Sequence, residues 1–278
     1  MLWVPQKGIL RVQHNLGAVG ADPFGTSVTT GASASIKGTP AEIFASTSFD
    51  AYWVTIIASA YGASGAASEG AMDILIGAAT EEVLIPNLLF GYCCTFGGPA
   101  PEGWKQWMFP LYIPAGARIA VRAAGARTST AFQVCMFLHG GSGSPPFRVG
   151  SKVTTYGMGT VPNGTSITPG TSGAEGAWAQ IVASTTEDHF AFMPSFQIAT
   201  DTTMATKGYA VDIGVGAATE ELIGEFFFTT NGSEGMNGPI PQMPIFQDVP
   251  SGTRLVMRAS NSAATADAAY NAVIHAVS

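Results

Sequence analysis

The chain has 278 residues, 46% of them hydrophobic and only 11% charged, with a formal net charge of −7. That is core material for one large domain or two medium ones, under a surface far more neutral than the roughly 25% charge of an average domain. It excludes the basic stripe of a nucleic-acid-binding surface, and no run approaches the roughly 18 apolar residues of a membrane span.

Residues 1–24 carry Trp3, Val4, Ile9, Leu10 and Val12, interrupted by Gly8, Gly17 and Gly20. They match nothing later in the chain and read either as an arm docked on another subunit or as an extra edge strand. Met1 to Lys7 lacks the basic and apolar regions of a signal peptide. A first module, residues 25–139, begins at Gly25-Thr-Ser-Val-Thr-Thr-Gly31. Ala51 to Ala58 is aromatic and β-branched, which predicts a strand, and Tyr61 to Gly70 predicts a loop. In the next strand side chains alternate between faces. Met72, Ile74 and Ile76 therefore point to the core, with Asp73 and Leu75 nearer solvent or a partner. Val83 to Phe90 is broken at Pro86, whose missing N–H belongs at an edge or a bulge. Pro114-Ala-Gly116 predicts a type I turn with Pro second and Gly fourth. Beyond it Ile119, Val121 and Ala123 share the core face, and Arg118 and Arg122 the other. Gln133 to Leu138 closes the module as an apolar strand.

Residues 140–146, Gly-Gly-Ser-Gly-Ser-Pro-Pro, read as a linker, and residues 147–278 as a second module. The alanine-rich Ala263 to Ala272 is the best helix candidate but reads as a loop with one turn. The second module repeats the first. Gly77-Ala-Ala-Thr-Glu-Glu82 returns as Gly216 to Glu221, and Gly25 to Gly31 as Gly164 to Gly170, both 139 residues on. Pro114-Ala-Gly-Ala-Arg118 returns as Pro250-Ser-Gly-Thr-Arg254, 136 residues on. A period this long duplicates a whole domain, not a solenoid repeat. Short strands between Gly/Pro/Ser turns predict an all-β fold of two tandem jelly-roll-like β-sandwiches.

Few residues offer chemistry. Glu81-Glu82 and Glu220-Glu221 could divide acid and base roles in glycoside hydrolysis, but adjacent carboxylates diverge, and their repetition argues for architecture. Arg118 with Arg122, and Arg254 with Arg258, read as a clamp for an anionic ligand or glycan, or as partners for in-domain carboxylates such as Asp73 and Asp212. His14, His139, His189 and His275 lie far apart; His139 and His275 both end their modules and so read as equivalents. None has a second ligand at metal spacing. Trp104, Trp107 and Phe109 read as a sugar-stacking platform or as core and interface packing. Cys93, Cys94 and Cys135 read as reduced core thiols, and the sequons at Asn163 and Asn231 mean little without a secretion signal. No catalytic, cofactor-binding or metal-binding residue is assigned, and no cofactor is expected.

The Gly-Ala-Ala-Thr-Glu-Glu stretch, Ile85-Pro-Asn-Leu-Leu89 and the Pro114 to Arg122 segment together resemble a module of tailed-bacteriophage virion proteins, often found in tandem. The resemblance covers residues 25–140 and 160–278; the second copy departs from it where Gly224-Glu-Phe replaces the Ile-Pro-Asn-Leu segment. It implies a non-enzymatic structural protein of the particle: capsid decoration, collar, or tail and fibre component. The implied partners are other virion proteins and further copies of the chain, with synthesis in the host cytoplasm and residence in the virion. The alternatives are a glycan- or receptor-binding module at the particle periphery and a double-jelly-roll capsid protein.

Overall fold

The computed structural model describes residues 10–16, 25–59, 70–77, 80–90, 105–126, 128–141, 145, 147–198, 207–217, 219–231, 235–237, 243–263 and 270–278. Among them there is no helix. The first half of the chain forms β1 (Leu10–His14), β2 (Thr26–Thr29), β3 (Ala41–Phe44), β4 (Ala51–Ser59), β5 (Gly70–Ile76), β6 (Glu82–Phe90), β7 (Lys105–Phe109), β8 (Ile119–Gly125) and β9 (Ala131–Gly141). The second half forms β10 (Val153–Tyr156), β11 (Thr165–Ile167), β12 (Ala179–Val182), β13 (His189–Ile198), β14 (Lys207–Val215), β15 (Glu221–Asn231), β16 (Gly235–Asn237), β17 (Ile245–Val249), β18 (Leu255–Asn261) and β19 (Tyr270–Val277).

In the first sandwich β1 and β2 both pair with β9, and that sheet continues to β4 and β7; the facing sheet runs β3-β8-β5-β6. From β2 onward, strands consecutive in sequence fall in different sheets except the paired β5 and β6, which is jelly-roll topology. The second sandwich repeats it: β10 and β11 on β19, then β13 and β17, facing β12-β18-β14-β15-β16. The interior is built from the alternation that the strands carry. Met72 and Ile74 on β5 and Ile119, Val121 and Ala123 on β8 face Val54 and Ile56 on β4 and Phe132, Val134, Met136 and Leu138 on β9, all buried. Val211, Ile213, Leu255, Met257 and Ala259 do the same in the second copy.

Five expectations need correction. Asp73 and Leu75 are buried rather than near solvent, because the loop before β3 crosses this face and brings Lys37 onto Asp73. At the equivalent of Leu75 the second copy has Gly214, and the vacated space is filled by Trp178, whose ring would lie 2.9 Å from a Cβ added there. The turn after Pro114 starts one residue late. Ala117 N–H donates to Pro114 O (3.4 Å) with Gly116 at φ 82°, the third position of a type II turn. Within residues 1–24, strand β1 does have a structural counterpart: it lies on β9 as β10 lies on β19. The ladders also separate the terminal histidines. Phe132 stands opposite Val28 as Tyr270 stands opposite Ile167, so His275 occupies the place of Phe137, not of His139.

Residues expected in the linker also take part in a strand. β9 runs on through Gly140 and Gly141, and Gly140 pairs with Ala51 so closely that a Cβ there would collide with Asp50 O. Pro86 sits as expected on β6, the edge strand, where the register with β5 shifts.

The two sandwiches pack together. The edge of the first formed by β6 and β7 lies against the outer face of the second, on β10, β13 and β19. Apolar burial is continuous across this joint, so one cluster contains Phe109 and Leu88 as well as Ile274 and Phe192.

Candidate functional site

Each repeated arginine is held by an in-domain carboxylate. Asp73 on β5 lies directly across the ladder from Arg122 on β8, and Asp212 on β14 from Arg258 on β18. Arg122 Nε donates to Asp73 Oδ2 (3.0 Å) and Arg258 Nε to Asp212 Oδ2 (2.8 Å). Asp73 also takes Lys37 Nζ (2.6 Å), whereas Arg258 reaches Glu175 (3.6 Å) and stacks over Trp178, 4.4 Å from the ring centre. Arg118 bridges Glu42 (2.8 Å) and Glu81, and these bonds hold its guanidinium above its ordinary pKa. Arg254 donates to Glu220 (2.8 Å), to Gly216 O and to Gln180. Its hydrogen bond keeps the Glu220 carboxyl below the usual carboxylate range. Glu82 and Glu221, the second member of each acidic pair, are exposed. The carboxylates therefore diverge, as their adjacency implies, and converge on no common bond. Trp107 is buried in the core and Trp104 lies outside the described residues, as do Cys93 and Cys94; Cys135 is a buried free thiol, pushed up by burial.

The four histidines remain apart. His189 shares a buried contact with Tyr156 (2.8 Å), whose hydroxyl accepts the Thr186 N–H (3.0 Å). Among the described residues no three His, Cys, Asp or Glu side chains form a group that could hold a metal ion.

Sequence reasoning missed the polar seam between the sandwiches. His275 on β19 is fully buried beneath Phe109, ring centroids 6.0 Å apart. Thr155 donates its only hydroxyl proton across the joint to Pro86 O, so its oxygen accepts from His275 Nδ1–H (2.8 Å). His275 Nε2 is then the acceptor for Ser195 Oγ–H (2.6 Å). Burial pushes the imidazole down to about 3, so it is neutral with a fixed tautomer. A serine hydroxyl on an unprotonated imidazole nitrogen is half of a nucleophile dyad, but Ser195 and His275 are both closed off by the first sandwich. Nearby, Lys105 Nζ donates to Phe196 O, a bond also crossing the joint, and burial lowers this amine to about 7. Gln197 adds one more across it, accepting from Gly70 N–H (2.9 Å), and donates to Pro162 O (3.0 Å) within its own sandwich. The available signal was the polar interruption of very apolar strands, Lys105 in one and Ser195, Gln197 and His275 in others; the sequence does not say which face would be covered.

No family model matches the chain, and no curated protein matches it either. Among solved structures it overlaps loosely with PNGF-II at 7% identity and a TM-score of 0.39, over 96% of this chain and 65% of that one. It thus spans about two thirds of the PNGF-II chain's length. It overlaps with the CBM22-1–CBM22-2 tandem domain of Paenibacillus barcinonensis Xyn10C at 11% identity and a TM-score of 0.26, over 98% of this chain and 92% of that one. A third overlap is with infectious bursal disease virus, Gx strain, at 11% identity and a TM-score of 0.24, over 98% and 73%. Overlap this loose bears on no function.

Proposed function

We propose that the chain is a non-enzymatic structural protein of a bacteriophage particle, a decoration, collar or tail and fibre component assembled through its sandwich surfaces. The observation that carries this reading is the internal use of the repeated charges. Asp73, Asp212, Glu81 and Glu220 each hold an arginine of their own sandwich, so the duplication has preserved architecture at the positions where chemistry would otherwise be sought. The Ser195–His275 contact supports the same reading, because a substrate would have to part the two sandwiches to reach it. The phage assignment rests on the sequence resemblance. Partners would be other virion proteins and the site of residence the virion.

Peptide mass spectrometry on gradient-purified particles tests this. Peptides of this chain should co-sediment with particles at a fixed ratio to the shell protein. Peptides confined to the soluble fraction would overturn the reading. A chain that proved to be the most abundant shell component would move it to the double-jelly-roll capsid alternative, and millimolar or tighter binding on a glycan array to the receptor-binding one.

A further inference from the structure

The two sandwiches carry opposite charges at one matched place, which backbone bonds define. In the first copy the Gly31 and Gly38 N–H groups both donate to Ala123 O (3.2 and 2.9 Å). In the second the Gly170 and Gly176 N–H groups both donate to Ala259 O (2.9 and 2.8 Å). The residue before the later glycine of each pair is therefore equivalent: Lys37 in one copy, Glu175 in the other. We infer that the outer face of the second sandwich binds a primary ammonium group, from a partner protein's lysine or a free diamine, between Asp212 and Glu225, where the first copy seats Lys37.

The first copy shows the site filled from within. Arg122 Nε donates to Asp73 Oδ2 (3.0 Å), and Lys37 Nζ donates to Asp73 Oδ1 (2.6 Å) and to Asn87 Oδ1 (2.9 Å). Two cations thus serve one carboxylate and one amide. In the second copy Arg258 Nε and Nη2 both go to Asp212 Oδ2 (2.8 Å each), and among the described residues no second cation reaches Asp212. On the side away from Arg258, Asp212 stands directly opposite Glu225 in the β14–β15 ladder. Like charges so opposed are destabilising. Glu175 adds a third carboxylate, 3.6 Å from Arg258. Burial, and then the charge of Asp212, hold the Glu175 carboxyl above its ordinary range, and Glu225 adds to this. One guanidinium serves three carboxylates, an imbalance that an incoming cation offsets.

The geometry selects an ammonium over a metal ion. Among the described residues no three His, Cys, Asp or Glu side chains form a group that could hold a metal. An ammonium needs fewer oxygens, and Lys37 satisfies its head group with two, from Asp73 and Asn87. Arg258 keeps to its own side of Asp212, its guanidinium stacked over Trp178 at 4.4 Å from the ring centre. Glu225 is exposed, so a group from solvent can approach along it. The inference goes beyond the proposed virion role, and its test needs only the purified chain.

Thermal melts of the full chain in n-butylammonium chloride, which carries the stem and head group of lysine, supply that test. Tetramethylammonium chloride at equal ionic strength is the control, since it has the charge without the N–H donors. The melting temperature should rise with n-butylammonium, half-saturating at roughly millimolar concentration as for a small ligand, and not with tetramethylammonium. Glu225→Ala, at an exposed position, should weaken this response by ~10-fold or more, whereas Glu221→Ala, outside the cluster, should leave it unchanged. Glu175→Lys puts the first copy's residue in the second. It should raise the melting temperature without any amine and abolish the response. Putrescine acting at the same concentration as n-butylammonium identifies lysine as the source, and acting at ~10-fold lower concentration a diamine. Equal shifts with n-butylammonium and tetramethylammonium, a Glu225→Ala variant that responds as the wild type does, or a Glu175→Lys variant no more stable than the wild type would each overturn the inference.

Discussion

Phe109 of the first sandwich stands edge-on to His275 of the second, ring centroids 6.0 Å apart and planes at 81°. This contact roofs a neutral imidazole that holds Thr155 on one nitrogen and Ser195 on the other. In the folded chain His275 takes up a proton only near pH 3, whereas a free histidine does so near 6.5. Between those values the unfolded chain binds the extra proton, so stability is full above about pH 6.5 and falls toward pH 3, by about 1.4 kcal/mol per pH unit at most. His275→Phe installs the residue of the equivalent place in the first copy. It should lower stability at pH 7.5 by about 1–3 kcal/mol, because Ser195 loses its acceptor, and flatten the acid limb. Urea denaturation across pH 4–8 measures both; an unchanged acid slope contradicts the assignment.

Lys105 gives a dependence in a different window. Its amine is lowered to about 7 in the folded chain from an ordinary value of 10.5. Between those values the unfolded chain holds a proton that the folded one has shed, so stability rises with pH from 7 to 10.5. Lys105→Met should therefore stabilise the protein by about 1–3 kcal/mol at pH 7, since a buried charge is removed at the loss of one hydrogen bond. The advantage should shrink as pH approaches 10. Thermal melts of both proteins at pH 7 and pH 10 decide it.

The two repeated ion pairs differ in their reserves. Asp73 keeps Lys37 if Arg122 is lost. The structure gives Asp212 no second cationic partner among the described residues, and Arg258 also covers Trp178. Arg258→Met should cost about 2–4 kcal/mol and Arg122→Met about 1–2 kcal/mol, because an uncompensated buried carboxylate is the larger penalty. Equal losses in denaturant titrations would show that the two clusters are energetically alike.

Glycine substitutions separate backbone strain from collision. Gly116 has a positive φ and open space around its missing side chain, so Gly116→Ala should cost about 1 kcal/mol. At Gly140 an added Cβ meets backbone, Asp50 O and Ala51 Cα, which cannot rotate away. Gly140→Ala should cost about 3 kcal/mol or more. Equilibrium unfolding of both variants should preserve this order.

Much of the architecture was legible because local patterns agreed with each other. The alternation at Met72, Ile74, Val121 and Ala123 set the inward faces, and Pro86 marked an edge strand. The motif offsets of 139 and 136 residues marked two copies of one module. The Arg–Asp pairs were legible as one of two readings, since motif and partner recur together. The kinship of β1 with β10 was not, because strand pairing relates them and the two share only a valine, Val12 and Val153. Nor was the two-residue displacement that puts His275 in the place of Phe137 rather than His139, since both histidines end their modules and only strand pairing fixes the register between the copies.

The sequence by itself determined two like sandwiches and their apolar interiors, because both follow from side-chain alternation and duplication within the chain. Only the tertiary structure decided how the copies meet. It turned Ser195, Lys105 and His275 into a buried seam and left Met243 and Phe246 exposed. Alternation sorts residues between the two faces of a strand, but an outward face is covered or left open only by what packs against it.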